Sequence, residues 1–471
     1  MFKKTKIVAS IGPATENKKI MEKMALAGMN VVRLNFSHDV HEAHQRRVDY
    51  IRFISKKIGK PIAILQDLSG PKIRIGDFYK ESIILKNGHK FILTTENCVG
   101  DEKRVFINYK NLHKEIEKDA TVLLNDGKNE LRVERISGKD IHCKVIIGGE
   151  IKGRRGVNFP GSYLKISSLT AKDKEDIKFG IKNNVEYMAI SFVRTIDDVL
   201  ELRNILQKAK ANEIKIIAKI ETQEAIDNLD AILEVSDGLM VARGDLAVEV
   251  GTEQVPILQK LIIQKCNDIG KPVITATQML ESMIKNPVPT RAEVNDIANA
   301  ILDGTDAIML SEETTLGNYP IKVIEVMARV AKHTEENFDY EEILRHKHLT
   351  QKIITDSVSY AVVNIAHSVD AKVIIVLTEF GFTPRMISRY KPKQPILVLT
   401  PNIKTLNQLA LNFGCYSKII KGFKDISSVI ESVKKIVIEN KMAKKGDKIV
   451  ISAGIPFGKT GTTNLLTVQV V

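Results

Sequence analysis

The sequence predicts an α/β protein: a (β/α)8 TIM barrel with an inserted antiparallel β-barrel lid domain and a C-terminal α/β sandwich domain. Three observations predict it. Eight short apolar runs alternate with amphipathic helical stretches, a stretch of β character at 70–165 interrupts them, and the alternation restarts after residue 340. A chain of 471 residues also exceeds one hydrophobic core, since domains commonly hold about 100–200 residues.

The apolar runs are 6–12, 30–36, 61–68, 187–193, 214–221, 238–244, 272–279 and 307–312. Near-continuous apolar runs, rather than alternating ones, suit parallel strands buried on both faces. The segments between them, such as IDDVLELRNILQKAK, carry apolar residues three and four apart, the period of a helix. Eight such units predict a closed barrel, assigned to 1–69 and 166–340. The insertion at 70–165 alternates with period two and is punctuated by NDG and SGKD turns, which predicts a small β domain. It leaves the barrel after the third strand, on the rim where a lid would sit. Residues 341–471 read as a separate α/β domain with strands AKVIIVLT, PILVLT and DKIVISAG.

Composition removes several function classes. Hydrophobic residues make up 44% and charged residues 27%, an ordinary globular balance. The formal charge is +13, but the lysines are interleaved with acids, aromatics are only 5% and tryptophan is absent. This is poor material for stacking bases, so no nucleic acid is expected as partner. No apolar run approaches the ~20 residues that span a bilayer, so no membrane is expected either. The basic start runs straight into a Gly-Pro turn and reads as a first strand rather than a leader. Cys98, Cys143, Cys266 and Cys415 lack metal-binding spacing and read as free thiols, in keeping with a cytoplasmic location.

Barrel chemistry gathers where strands end. The polar residues there are Arg33, Asn35 and Ser37 after the second run, Asp67 after the third, and Lys219 and Glu221 in the fifth. Arg243 and Asp245 follow from the sixth, Thr277 and Gln278 from the seventh, and Ser311 and Glu312 from the eighth. Charges inside apolar runs are costly unless they face a polar pocket. Glu221 and Asp245 form a carboxylate pair with no His or Cys nearby, and oxygen-only ligation suits Mg²⁺, with Mn²⁺ as a substitute. Arg33 and Lys219 place cations where phosphoryl oxygens would gather. Cations, a metal and in-line positioning are what phosphoryl transfer needs. The helix opened by Arg243, Gly244 and Asp245 presents backbone N–H groups to a substrate carboxylate.

At these residues the chain resembles the pyruvate kinase family. The segments VVRLNFSH, SGPKIRIG, KGRRGVNFPG, AKIE, DGLMVARGDLAVE and TATQMLESMIKNPVPTRAEVNDIANAILDGTDAIMLSEET follow its motifs in order, as does the tail PFGKTGTTNLLTVQVV. The resemblance implies transfer of a phosphoryl group from phosphoenolpyruvate to ADP, giving pyruvate and ATP. It gives Lys219 the charge on the migrating group, and Arg33 and Arg74 the phosphate. Glu221 and Asp245 would bind Mg²⁺. The backbone of Gly244 and Asp245, with the Thr277 hydroxyl, would bind the substrate carboxylate. Asn35, Phe36, Ser37 and His38, with Arg74 and Arg155, would meet the nucleotide, Arg155 standing where the family has lysine. Thr277 and Ser311 would relay a proton to the enol carbon.

Departures from the family pattern sharpen the expectation. The family holds K⁺ with an Asn, a Ser, an Asp and a Thr carbonyl, with a Glu four residues beyond the Thr. Here Asn35, Ser37 and Asp67 are kept, Leu68 replaces the Thr and Lys72 the Glu. With Ile75 changed too, the chain resembles the K⁺-independent branch, and the Lys72 ammonium would stand in for the monovalent cation. Asp39 and Glu313 stand where the family has glycine. In the C-terminal domain Thr378, Gly381 and Thr383 form a loop before a helix, read as the site of a phosphorylated effector. Glu379 and Phe380 replace its usual basic or hydroxyl residues. The resemblance further implies a homotetramer. A mutase or aldolase acting on phosphoenolpyruvate or pyruvate is the rival enzyme. A sensing or RNA-binding protein on a retired barrel is the non-catalytic rival; the intact Lys219, Glu221 and Asp245 argue against it.

Overall fold

The computed structural model describes residues 2–346, 353–421, 426–455 and 463–471. Eight parallel strands close into a barrel: β1 (Lys6–Ser10), β2 (Val31–Asn35), β3 (Ala63–Asp67), β4 (Tyr187–Ile190), β5 (Lys215–Ile220), β6 (Gly238–Ala242), β7 (Val273–Ala276) and β8 (Ala307–Leu310). They run in sequence order around the ring, and β1 seals against β8 with Lys6 opposite Ala307. Each strand lies inside the apolar run that predicted it. The runs overshoot because their last residues leave the sheet at its C-terminal rim.

Period-two alternation sorts each strand into two faces. Val8, Val31, Ala63, Leu65, Tyr187, Ala189, Ile217, Met240, Ile274 and Met309 fill the lumen. Their alternates, such as Ile7, Ile64, Ile216 and Ala218, pack outward under the helices. Several helices that clothe the barrel begin with a Thr-x-x-Asp/Glu box. Thr170 and Asp173 cap 171–182 reciprocally, and Thr290 and Glu293 cap 291–302, each satisfying two otherwise orphaned N–H groups.

The insertion folds around its own core of residues such as Leu93, Val105, Val122 and Val133. Its six-stranded sheet is antiparallel except for one parallel pair, 90–94 beside 104–106, and a separate two-stranded ribbon joins 82–85 to 149–152. Residues 73–76 bridge the two edges of the sheet, the Val157 N–H donating to the Ile73 carbonyl at 3.0 Å and the Gly76 N–H to the Phe106 carbonyl at 2.7 Å, so the sheet curls into the expected barrel, with one parallel pair and a ribbon added. The short 104–106 strand has to run beside its neighbour because an intervening loop carries the chain back across the sheet. In the C-terminal domain, strands 415–419, 396–400, 373–377 and 448–454 run parallel, and 463–470 pairs antiparallel at the edge. Separate apolar clusters cover the two faces of this sheet, one with Val362 and Val363, the other with Val433 and Val437. Among the described residues no helix is long and apolar enough to cross a membrane, and the four cysteines are free.

Candidate active site

The lumen face changes character one layer below the rim. Alternation from Val8, Val31, Leu65, Ala189 and Ile217 brings Ser10, Arg33, Asp67, Ser191 and Lys219 to the same inner face, two residues further on. These polar side chains bond to one another. Arg33 Nε lies 2.7 Å from Asp67 Oδ2, and its Nη1 donates to Ser10 Oγ at 2.8 Å. Lys219 Nζ donates to Ser191 Oγ at 2.8 Å and lies 2.8 Å from Glu221 Oε1 and 3.5 Å from Asp67 Oδ1. Glu221 Oε2 accepts the Phe192 N–H at 2.7 Å. Phe192 adopts a positive φ of 54°, a sparsely populated conformation for an aromatic residue.

The charges here set one another's ionisation. Burial opposes the charge of Lys219, but the Asp67 and Glu221 carboxylates outweigh it and hold the ammonium pKa above the ordinary lysine value. Burial likewise opposes the Asp67 charge, yet Lys219 and Arg33 pull its pKa below the usual carboxylate range. Glu221 moves the other way: burial and the neighbouring Asp245 raise its pKa against the pull of Lys219. Asp67 Oδ1 is buried without a hydrogen-bond partner. Asp245 makes no hydrogen bond or ion pair with a described residue and faces the cleft between barrel and insertion. A free carboxylate beside a buried one is an acidic pair open on the cleft side. It fits a divalent cation that takes its remaining ligands from substrate and water.

The helix Arg243–Val250 begins directly at the end of β6. Its Gly244 N–H meets Thr277 Oγ1 at 3.0 Å, so the two groups expected to share a substrate carboxylate are already adjacent. Thr277 has φ +71° and Gln278 φ +55°, a strained pair of a kind concentrated at functional sites. Arg243 turns away from the lumen. It forks onto Asp296 at 2.7 and 2.8 Å and donates to the Thr277 carbonyl at 2.6 Å, bracing the strained loop.

Ser311 sits at the end of β8, and its N–H donates to Glu313 Oε2 at 2.7 Å; Glu313 Oε1 accepts the Leu280 N–H at 3.1 Å. This corrects one expectation. Overlaying SGET on Ser311–Thr314 puts the glycine's place at Glu312, which is exposed, whereas Glu313 is buried and ties the β7 and β8 loops together. Ser311 and Thr277 are not joined by a hydrogen bond.

Asn35 Oδ1 accepts the Ser37 N–H at 3.1 Å, and the Phe36 N–H reaches the Asp67 carbonyl at 2.9 Å. Asn35, Ser37 and Asp67 are therefore gathered at one corner of the mouth. Lys72 is exposed on the irregular segment leading into the insertion and lines the cleft; no ion pair joins it to Asp67, whose carboxylate faces Arg33 and Lys219 instead. Arg74 bridges across to Gly156 and donates to the Arg154 carbonyl at 3.0 Å, which sets it beside the exposed Arg155 on the insertion. His38 is exposed at the rim, where its carbonyl accepts from His44 Nε2 at 3.0 Å. Ser10, Ser191 and Asp296 escaped the sequence reading. The first two were legible by counting in twos along the lumen face.

Insertion and barrel meet through Asn158, which donates to Glu249 at 2.9 Å, and Arg194, which donates to the Leu164 carbonyl at 2.6 Å. The site thus lies in a cleft with the insertion as one wall.

Residues 2–324 match the description "Pyruvate kinase, barrel domain", and residues 356–469 match "Pyruvate kinase, alpha/beta domain". The chain belongs to the pyruvate kinase family. Pyruvate kinases of Staphylococcus aureus strains MRSA252 and USA300 are each 44% identical over 473 aligned positions, covering 100% of this chain and 81% of theirs. A crystal structure of a pyruvate kinase from Cryptosporidium parvum superposes with a TM-score of 0.94 at 36% identity, covering 99% of this chain and 96% of that one. The chain is accordingly a phosphotransferase of glycolysis, of a family that requires a divalent cation. The tail residues 456–462, part of the family motif, lie outside the described residues.

Proposed function

We propose that the chain transfers a phosphoryl group from phosphoenolpyruvate to ADP in the last step of glycolysis, with Mg²⁺ held by Glu221 and Asp245. The observation that carries this reading is the buried layer in which Lys219 lies 2.8 Å from Glu221 and 3.5 Å from Asp67. A divalent cation at the acid pair would link phosphoryl oxygens to the protein and offset their charge. Lys219 meets the migrating group with an ammonium that stays protonated throughout the physiological range, and Arg33 forks onto its oxygens. The N–H groups opening the 243–250 helix, together with the Thr277 hydroxyl, orient the substrate carboxylate. Asn35, Phe36, Ser37 and His38, with Arg74 and Arg155 from the insertion, receive the nucleotide. Thr277 and Ser311 deliver the proton to enolpyruvate through water, and ketone formation drives the reaction toward ATP.

Lys219→Met tests the assignment in an assay coupled to lactate dehydrogenase. Turnover should fall by about three orders of magnitude or more, while phosphoenolpyruvate binding stays measurable. Near-normal turnover removes the role of Lys219. Failure of the wild type to form ATP from ADP would favour a mutase or aldolase.

The Lys72 ammonium, which lines one cleft with Ser37, makes K⁺ dispensable in this reading. Replacing K⁺ by Na⁺ or tetramethylammonium should leave the rate within a few-fold, and a loss of tenfold or more refutes it. Three separate cores support the division into 1–69 with 166–340, 70–165 and 341–471. A cytoplasmic homotetramer, activated by a phosphorylated metabolite at Thr378, Gly381 and Thr383, completes the reading. Flat kinetics across a panel of sugar and nucleoside monophosphates would remove the activation.

A further inference from the structure

Two residues just beyond β4, Ser191 and Phe192, touch both groups on which the phosphoryl-transfer reading rests. The Ser191 hydroxyl accepts from Lys219 Nζ at 2.8 Å and itself donates to the Leu68 carbonyl at 2.8 Å. With its one hydrogen committed, the hydroxyl can only accept where it faces the ammonium. The Phe192 N–H holds Glu221 Oε2 at 2.7 Å, on the carboxylate whose other oxygen lies 2.8 Å from the same ammonium. Asp67 and Glu221 draw on the charge of Lys219, whereas Ser191 orients it and leaves the charge whole. The lumen uses this device twice: Ser10 Oγ accepts from Arg33 at 2.8 Å and donates to the Leu310 carbonyl at 3.0 Å. Ser191 and Phe192 are also braced by both connections to the insertion. On the way in, Gly70 has a φ of +66°, and a Cβ there would fall 3.0 Å from Ser191 Cβ and 3.0 Å from Phe192 Cδ2. On the way back, the buried Ser168 donates to the Phe192 carbonyl at 2.8 Å. The positive φ of Phe192 is thus held between Glu221 on its N–H and Ser168 on its carbonyl. Strain of this kind persists only where the surroundings over-determine it.

We propose that Ser191 and Phe192 are positioning residues, a role that rests on the one given to Lys219 above: they fix the Lys219 ammonium and the Glu221 carboxylate relative to each other and to the base of the insertion. An ammonium on a flexible four-carbon stem is a point charge with rotatable donors, and a carboxylate alone holds it without a set direction. A buried hydroxyl on a braced backbone removes that freedom. A misplacement of about 1 Å at a reacting group costs up to about a hundredfold in rate. Because Gly70 and Ser168 bear on the same two residues, the seat of the insertion on the barrel enters the geometry of the transfer site.

Steady-state kinetics of the full chain test this, with phosphoenolpyruvate binding followed separately by calorimetry. Ser191→Ala should lower kcat by about tenfold or more, while KM and Kd for phosphoenolpyruvate stay within about threefold of wild type. Ser191→Cys keeps the volume but offers a poor acceptor, and its turnover should fall with that of the alanine variant. Turnover of Ser191→Cys within about twofold of wild type makes the role one of packing and overturns the proposal, as does a loss confined to KM. Gly70→Ala should lower kcat on its own. Combined with Ser191→Ala, the loss should be smaller than the product of the two, because both act on one contact. Full multiplication overturns the link to the insertion. If Gly70→Ala does not fold, Ser168→Ala takes its place in the cycle with the same expectation. A wild type that forms no ATP overturns the reading of the site and this role with it. An active wild type with unaffected Ser191 variants overturns this role alone.

Discussion

Asp67 governs the charge balance of the lumen. Its carboxylate faces Arg33 and Lys219 together, and removing it would leave two cations confronting each other in a dry layer. Breaking a buried network by deleting one partner costs about 3–5 kcal/mol. Asp67→Ala should therefore lower the unfolding free energy by about that amount, measured by urea titration, and a change under about 1 kcal/mol would contradict it. His44 offers a second test. Its ring stacks on Phe36 with centroids 4.0 Å apart, and burial pulls its pKa down to about 4 against the Asp39 and Asp176 carboxylates, with Arg47 adding to the fall. An unfolded histidine titrates near ~6.5, so between those values the unfolded chain takes a proton that the native state refuses. Stability is then full above about 6.5 and declines as pH falls toward about 4. His44→Phe keeps the stack, and its stability should lose slope in that window relative to wild type. At this scale the sequence disclosed the charges but not their partners. Lys219 and Glu221 stand out inside an apolar run, while Ser191 looks like an ordinary strand end until the barrel aims it at Lys219.

At the scale of elements, the apolar runs located every barrel strand, because strands buried on both faces leave little room for polar residues. Their ends were less legible: strand and rim loop share the same apolar character until the chain turns. The insertion announced its β character through alternation but not its pairing, since register between distant strands leaves no local trace. Helix 171–182 shows how tightly these elements pack. Gly180 presses on β3 so closely that an added Cβ would fall 1.8 Å from Gln66 Oε1 and 2.5 Å from the Met188 methyl. Gln66 is fully buried and donates to the Asp176 carbonyl at 2.7 Å, so it has little freedom to retreat. Gly180→Ala should destabilise the barrel by about 1–3 kcal/mol, despite the better helix propensity of alanine. A shift in the denaturation midpoint reads this directly, and a neutral or stabilising result would show that the helix can move away.

At the scale of the whole molecule, the barrel floor is wired to the C-terminal domain. Lys4 Nζ donates to the Lys393 carbonyl at 3.0 Å, and Lys6 Nζ reaches the Cys415 carbonyl at 2.6 Å. Ala410 and Leu411 push into the base of the lumen. Asp306, at the start of β8, lies 2.9 Å from Lys391 and accepts the Phe413 N–H at 3.0 Å, both from the C-terminal domain. Asp306→Ala strands a buried ammonium at this junction and should cost about 3–5 kcal/mol. Unfolding followed by calorimetry should then split into two transitions, and a single unshifted transition would show that the junction is not held there.

The excursion between β3 and β4 also bears on how the chain finds its fold. Asp67 must pair with Ala189 across the whole insertion. Yet the Val157 N–H bonds to the Ile73 carbonyl at 3.0 Å, so the two ends of the insertion are pinched together once it has formed. An insertion that folds first shortens the gap to be closed from roughly 120 residues to roughly 40, a saving of about 1 kcal/mol in chain entropy. The lid would then speed ring closure during folding, quite apart from anything it does in catalysis.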